Sequence, residues 1–430
     1  MQTGRNNRHA LVVGAGIGGL ATALALGRAG WRVTVLERAA AIGDIGAGIQ
    51  LSPNGVRVLS CLGVLEGLLP TTFRPEAVEM RLGRSGRQVF RIELAETAEG
   101  RWGAPYLHVH RADLIDALLT GTVGSGLDIT LHTGSAVKSY EQSPEEVTAL
   151  LDSGRRVSGS LLVGADGIHS VIRSQMLGAG EPRFTGHVAW RVTVPVERLG
   201  RDVPPPTACL WVGDRRHAIT YRLRGGALAN LVAVVERDEW RGESWTERGT
   251  RQDALADFGG WHPTVTTTLR EADAHYRWAL FDREPLETWT DGRVALLGDA
   301  CHPMLPYLAQ GATMAIEDAQ VLARQLEGTD DVPRALLSYS ATRRPRTARV
   351  QAGSPQTGSG STREAPSPTC PCGSWGNLLP ACTTAGWTGS TDTGCLDRLL
   401  PRPIGKGLRR QSPAEAFRTV GTTGFEPATP

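Results

Sequence analysis

The sequence predicts an α/β protein, a Rossmann-like nucleotide-binding domain interleaved with a mostly antiparallel β-sheet. Three segments predict it: GAGIGG at Gly14 to Gly19, VGADGIHS at Val163 to Ser170, and LLGDACHPMLPYLAQGA at Leu296 to Ala312. Each follows an apolar β-run and two of them open helices, the context in which a dinucleotide pyrophosphate binds. Glycine alone would report only a tight turn.

The chain opens strand, turn, helix, strand. Ala10 to Val13 is apolar, Ile17 to Ala29 places Ile17, Leu20, Ala21 and Leu24 at helical spacing, and Arg32 to Leu36 is the second strand. Gly30 sits just past the helix, where a left-handed residue is favoured. Around Ala15, the glycines Gly14, Gly16 and Gly19 supply a tight turn, close approach of backbone to pyrophosphate, and packing of helix on strand. Glu37 ends the second strand, where an acidic side chain accepts from ribose hydroxyls.

GAGIQLSPNG, Gly46 to Gly55, reads as an extended stretch to Leu51 and then a helix from Ser52 or Pro53, with Ser52 as cap. Val78 to Leu82 and Gln88 to Ile92 flank the turn segment GRSG and read as an antiparallel hairpin. Ala112 to Leu119 is helical, Asp128 to His132 extended, and Ala136 to Gln142 with Val147 to Leu151 forms another hairpin. Leu161 to Gly164 places Asp166 at the edge where α/β sheets bind ligands, although an Asp-Gly pair also suits a plain turn.

Strands then dominate from Phe184 to about Tyr276: His187 to Val194, Ala208 to Val212, Ala218 to Leu223 and Leu228 to Val235. Arg293 to Leu297 returns to the nucleotide fold, and Thr313 to Leu326 aligns Ala315, Ile316, Ala319, Leu322, Ala323 and Leu326 on one apolar face. The expected division is discontinuous: residues 9–75, 105–180 and 281–351 form the nucleotide domain, 76–104 and 181–280 the sheet domain, and 352–430 an atypical tail.

The chain has 430 residues and a formal net charge of +2. That balance offers no electrostatic ground for a nucleic-acid or anionic-membrane partner. Met1 to Arg8 is polar and basic and the apolar run after it is too short for a signal-peptide core, so a cytoplasmic protein is expected, and separately a monomer or homodimer. Cys61, Cys209 and Cys301 form no CxxC pair, and the spacing of Cys370, Cys372, Cys382 and Cys395 does not match zinc ligation; no metal is expected.

The third segment is more specific than a nucleotide site. Asp299, at a strand end, is placed to accept from a ribityl or sugar hydroxyl, and Gln310-Gly311-Ala312 starts the next helix. Free N–H groups at a helix start suit an anionic ring, and reduced flavin is such an anion.

With these motifs, and with HRADL at His110 to Leu114 and DREPLETWTDGRVALLGDACHPM at Asp282 to Met304, the chain from Ala10 to about Gln351 resembles the single-component FAD-dependent aromatic hydroxylases, flavoprotein monooxygenases of the salicylate and 3-hydroxybenzoate hydroxylase type. The resemblance implies one bound FAD, NADH or NADPH as co-substrate without a Rossmann domain of its own, and O₂. It implies hydroxylation of a small aromatic, a phenolic acid, through a C4a-hydroperoxyflavin. Gly14, Ala15, Gly16, Gly19, Glu37, Arg38, Gly48, Arg111 and Asp299 would then bind FAD, Gly311 and Ala312 would contact its ring, and Asp166 would serve both FAD and the nicotinamide nucleotide.

GDRRHAITYRLRGG at Gly213 to Gly226 resembles the family's substrate-facing sheet segment. Alternation puts His217, Ile219 and Tyr221 on one face. His217 is the expected phenol-activating base or hydrogen-bond partner, with Tyr221 beside it, since an imidazole pKa near 6.5 suits proton transfer at neutral pH. Gln50, Trp190, Pro306 and Tyr307 complete the expected substrate wall, and His302 is expected to be structural.

Beyond Gln351, Gly, Ser, Thr and Pro are dense without sustained period, where relatives continue in helix. Two readings stand for this tail: translation that has left the family's reading frame, or a disordered extension. Two alternatives to the hydroxylase also stand, another FAD-dependent oxidoreductase and a defective flavoprotein without turnover.

Overall fold

The computed structural model describes residues 8–43, 48–237 and 248–362. Strands His9–Val13, Arg32–Leu36, Ile129–His132, Leu161–Gly164 and Val294–Leu296 form a parallel sheet, with Thr290–Asp291 antiparallel at one edge. His9–Val13 lies between Leu161–Gly164 and Arg32–Leu36. Its Ala10, Leu11 and Val12 are fully buried, as in a strand covered on both faces. Helix Ile17–Arg28 packs against helices Gly311–Leu326 and Arg111–Gly124.

A seven-stranded sheet draws its strands from residues 77–93 and 183–282. Its order is Tyr276–Asp282, Arg183–Pro195, Leu228–Glu236, Arg216–Leu223, Ala208–Gly213, Ala77–Leu82, Gln88–Glu93. Ala77–Leu82 pairs parallel with Ala208–Gly213, the one parallel ladder of this sheet. One face is covered by helices Arg251–Asp257 and Pro263–Glu271 over Trp190, Trp211, Ala218 and Ala233. The other turns toward the short strand Gly48–Leu51: Gly48 N–H donates to Asn230 Oδ1 at 3.0 Å. The Tyr221 ring lies so close that a Cβ at position 48 would sit 2.3 Å from its Cε2, which is why glycine is required there.

Several elements depart from the sequence expectation. Gly48–Leu51 is not a free extended stretch but pairs with Leu107–His110, and Arg156–Gly159 adds a third strand to the hairpin Val137–Gln142 and Val147–Leu151. Ala95–Trp102 is helical although only Ala98 of it is buried, and one apolar contact leaves no period to read. Ser52 occupies the N-cap of helix Pro53–Cys61, yet its hydroxyl donates to Asn54 Oδ1 at 2.6 Å instead of accepting a helix N–H.

The last helix, Val332–Thr362, runs past the expected tail boundary. Gln351 Nε2 donates to Pro303 O at 3.1 Å and the buried Ser354 hydroxyl to Leu305 O at 2.7 Å. Two side chains of the Gly/Ser-rich junction are thus engaged with the core. Residues 363–430, with the four clustered cysteines, lie outside the described residues. Among the described residues no helix is long and apolar enough to cross a membrane.

Candidate functional site

The glycine cradle forms where adjacent parallel strands end. Gly14 N–H donates to Leu36 O at 2.8 Å, Ala165 N–H to Val13 O at 2.9 Å and Leu297 N–H to Gly164 O at 3.0 Å. Gly14 has φ +101°, and a Cβ there would lie 2.6 Å from Ala165 O; at Gly19 a Cβ would lie 1.9 Å from Gly14 O. Packing alone demands those two. Gly16 is different, for nothing lies within 4 Å of the Cβ position it leaves open. It is the N-cap of Ile17–Arg28, and no side chain caps that helix. Its first N–H groups and the positive end of its dipole therefore face open space, the arrangement that binds phosphate.

Glu37 locks the same turn. Its Oε2 accepts from Ala15 N–H at 2.7 Å and its Oε1 from Ala39 N–H at 2.8 Å, leaving a lone pair on each oxygen for a ribose hydroxyl. Arg38 beside it is exposed.

Asp299 keeps accessible surface although it lies deep among protein atoms. That desolvation pushes its pKa up, opposed by His302 and by Arg111, so the first residue of Arg111–Gly124 comes within electrostatic reach of the Asp299 carboxyl. Helix Gly311–Leu326 starts close by in sequence with no side-chain cap. The chain enters it through Ala309, a non-glycine residue at φ +51°. The Gln310 side chain is turned away, its Nε2 donating to Ser52 Oγ at 3.0 Å. An uncapped helix start, an accessible carboxylate and an arginine suit a flavin ring with its ribityl chain. The residues present thus fit FAD at both ends.

Asp166 shows the turn role that the Asp-Gly pair also suited. Its Oδ1 accepts from Ser170 Oγ at 2.6 Å, and its Oδ2 from the N–H groups of Val171 at 2.8 Å and Ile172 at 3.3 Å. Ser170 is the N-cap of helix Val171–Leu177, accepting from Arg173 N–H at 2.9 Å, and the Asp166 carboxylate supports it by accepting from the first two helix N–H groups.

Under the Gly311 helix lies a buried ionic network outside the expected set. Asp318 accepts from His302 Nε2 at 2.5 Å, Gly298 N–H at 3.2 Å and Arg343 Nε at 2.6 Å. Glu317 accepts from Asn54 Nδ2 at 2.7 Å, Arg343 at 2.6 Å and Arg346 Nε at 2.7 Å. A readable signal exists for Asp318: it stands three residues after Ala315 and four before Leu322, on the apolar stripe. His302 pairs through Nε2 with Asp318, while its buried Nδ1 has no hydrogen-bond partner among the described residues.

On the sheet, His217 and Tyr221 are buried and face the Gly48 side. The His217 ring centroid is 5.1 Å from that of Tyr307, which lies 5.9 Å from His187. The Tyr307 hydroxyl is buried without a hydrogen-bond partner. Burial, with a smaller contribution from His187, pushes the His217 pKa down to about 3. The expectation of titration near neutrality is therefore corrected: the imidazolium is too poorly solvated here to form at pH 7. Burial pushes the Tyr221 hydroxyl up, keeping it protonated. Gln50 is buried with its Oε1 accepting from Tyr106 OH at 2.8 Å, and Pro306 is exposed.

Trp190, expected at the substrate wall, lies on the wrong face. Strand register aligns it with Ala233, Ala218 and Trp211, while His217 aligns with Val234 and Ala189 on the other side. Its indole N–H donates to Asp257 Oδ2 at 2.7 Å beneath the covering helices. Trp190→Phe should therefore leave KM for the aromatic substrate within about twofold while costing about 1 kcal/mol of stability for the lost bond, read by kinetics and urea unfolding. The neighbouring Arg191 is on the opposite face, the one that carries His217.

The FAD binding domain family matches residues 7–354. The 3-hydroxybenzoate 6-hydroxylase 1 of Aquipseudomonas alcaligenes is 39% identical over 348 residues, covering 80% of this chain and 87% of its own. The 6-hydroxynicotinate 3-monooxygenase of Bordetella bronchiseptica is 36% identical over 344 residues, 79% of this chain and 88% of its own. Among solved structures, a salicylate hydroxylase substrate complex superposes with a TM-score of 0.75 at 26% identity, covering 93% of this chain and 99% of that one. Klebsiella pneumoniae HpxO complexed with FAD and uric acid gives 0.75 at 27% identity, covering 88% and 93%.

Proposed function

The chain belongs to the FAD binding domain family and is an FAD-dependent aromatic hydroxylase, and we propose that it hydroxylates a small phenolic acid with NADH or NADPH and O₂, in the cytoplasm, as a monomer or homodimer. In this reading residues 9–75, 105–180 and 281–351 hold FAD, and 76–104 and 181–280 form the substrate wall. One observation carries it: the sheet face bearing His217 and Tyr221 is closed against Gly48 on one side and on the other against Tyr307, four residues before the uncapped helix start at Gly311.

When bound, FAD supplies hydride acceptance from NAD(P)H and activation of dioxygen. The chain supplies the rest. The helix start at Gly16 holds the pyrophosphate, and the N–H groups of Gly311 and Ala312 favour negative charge on the ring. His217, held neutral, offers a hydrogen bond to the phenol instead of storing its proton, and Tyr221 stays a donor. The buried rings around them exclude water.

His217→Ala is expected to lower hydroxylation about 100-fold with FAD content unchanged, and His217→Gln to recover part of it. Equal loss of flavin and product would make His217 structural. Since its pKa is depressed to about 3, the wild-type kcat/KM profile should show no His217 inflection between about pH 5 and 8. A step near pH 6.5 that vanishes in His217→Gln would restore the titrating base.

The functional reading is tested on the purified protein by its flavin spectrum and by substrate-stimulated NADH and NADPH oxidation with a panel of monohydroxybenzoates, scoring hydroxylated product against peroxide. Bound flavin with product supports it. Peroxide alone points to a different aromatic, and protein without flavin to a chain that does not turn over.

A further inference from the structure

Strand register shows which part of the sheet can meet a small molecule. On the face toward Gly48, three successive rungs cross the strands Arg216–Leu223, Leu228–Glu236 and Arg183–Pro195: His217–Val234–Ala189, Ile219–Val232–Arg191, and Tyr221–Asn230–Thr193. The first is closed. His217 lies under Tyr307, and Val234 and Ala189 pack with Leu305. The third is closed at Tyr221 and Asn230, which are buried against Gly48. The middle rung is open: Ile219, Val232 and Arg191 all keep accessible surface, and the partly accessible Tyr276 extends it on the next strand.

A strip accessible between two buried rungs is a floor on which a flat ligand can lie. Among the described residues of this strip, Arg191 is the one that carries charge. The guanidinium carbon sits 4.4 Å from the centroid of the buried Trp278 ring, which orients a planar cation at the edge of the floor. Its field reaches the opposite side, where it opposes the burial-driven rise of the Tyr221 hydroxyl. Two rungs outward from Arg191 on the same face, Glu236 is bridged to Arg215 at 2.9 Å.

We propose that Arg191 is the residue that recognises the substrate's carboxylate, selecting aromatic acids as anions over neutral phenols of the same shape. This rests on the hydroxylase reading above and names its specificity determinant. A guanidinium can meet a carboxylate with two parallel N–H···O bonds, and such charge-assisted bonds strengthen in a water-poor recess. It would also fix which ring edge faces the oxygenating group, because the carboxylate anchors one end while the other lies over Ile219, bordered by the edges of His217 and Tyr221.

The test uses the FAD-loaded enzyme and two probes of one shape, 3-hydroxybenzoate and 3-hydroxybenzamide, with Kd read from the change in flavin absorbance and FAD content measured alongside. Wild type should bind the acid about 30-fold more tightly than the amide. Arg191→Gln should weaken the acid by about that factor and leave the amide within about threefold, while Arg191→Lys keeps part of the preference. Equal weakening of both probes, or unchanged binding of the acid, overturns the assignment. If the variants do not load FAD, the wild-type ratio decides, and acid and amide bound within about threefold of each other overturns it. Wild type that binds no monohydroxybenzoate at all overturns the phenolic-acid reading itself, and the assignment with it.

Discussion

Gly16→Ala is expected to give a folded protein that does not retain FAD. The backbone at Gly16 is extended, φ −74° and ψ −176°, which any residue adopts, and no protein atom lies within 4 Å of the new methyl group. Folding has nothing to resist. The methyl group instead occupies the space at the helix start that pyrophosphate must enter to reach the N–H groups, so FAD affinity should fall about 100-fold or more. The flavin-to-protein absorbance ratio after desalting reads the loss, and a melting temperature within about 3 °C of apo wild type shows that the fold survives. Gly19→Ala is the contrast, since its Cβ would lie 1.9 Å from the Gly14 carbonyl and the strand–helix packing itself must give way. Flavin retained by Gly16→Ala at wild-type level would remove the cradle from the cofactor site.

Arg343→Met is expected to cause the largest loss of stability, about 3–5 kcal/mol at neutral pH, because removing one partner of a buried ion pair leaves charge uncompensated. Arg343 is 3% exposed and bridges both Glu317 and Asp318, at 2.6 Å each. Arg346 still serves Glu317 in the variant, but Asp318 is left with His302 and one backbone N–H. The pH dependence has a definite sign. Burial alone would raise the Asp318 carboxyl, but His302 and Arg343 outweigh it and hold it at about 2, below an ordinary value of 3.8. A lowered carboxyl contributes stability that is complete above the unfolded value and lost as pH falls through the folded one. Wild type should therefore lose stability from about pH 4 down to about pH 2, whereas in Arg343→Met protonation relieves a buried charge. The gap between the two should narrow on acidification, as measured by urea unfolding across that range. A gap that is constant with pH would mean the cost is packing, not charge.

Much of the nucleotide end was legible in the chain because its geometry is local. The spacing of Gly14, Gly16 and Gly19 between two short apolar strands is enough to place a turn, a helix start and Glu37, and the strand Arg32–Leu36 has the expected limits. The sheet was legible strand by strand, but its faces were not. Which side of Arg183–Pro195 meets the substrate depends on helices Arg251–Asp257 and Pro263–Glu271 covering the other, and those short helices carry too few apolar residues to announce themselves. Residue type favoured Trp190; register puts Arg191, one position away, on the face that carries His217. The His217 pKa was likewise illegible, since desolvation is a property of everything packed around the ring and not of its neighbours in sequence.

The clamp made by the last helix has a consequence for the order in which the protein matures. Its Arg343 and Arg346 neutralise the acids under the Gly311 helix, and its Gln351 and Ser354 tie down the backbone at Pro303 and Leu305, so the ring end of the cofactor site is secured by the latest part of the fold to be synthesised. The phosphate end needs the chain only as far as Ala165, which packs on Gly14, and so can be completed before the last helix is made. Cofactor capture is thus split in time: the adenine half has a dock early, and the ring becomes firmly held only after the chain has returned from its farthest sequence distance to close the contact.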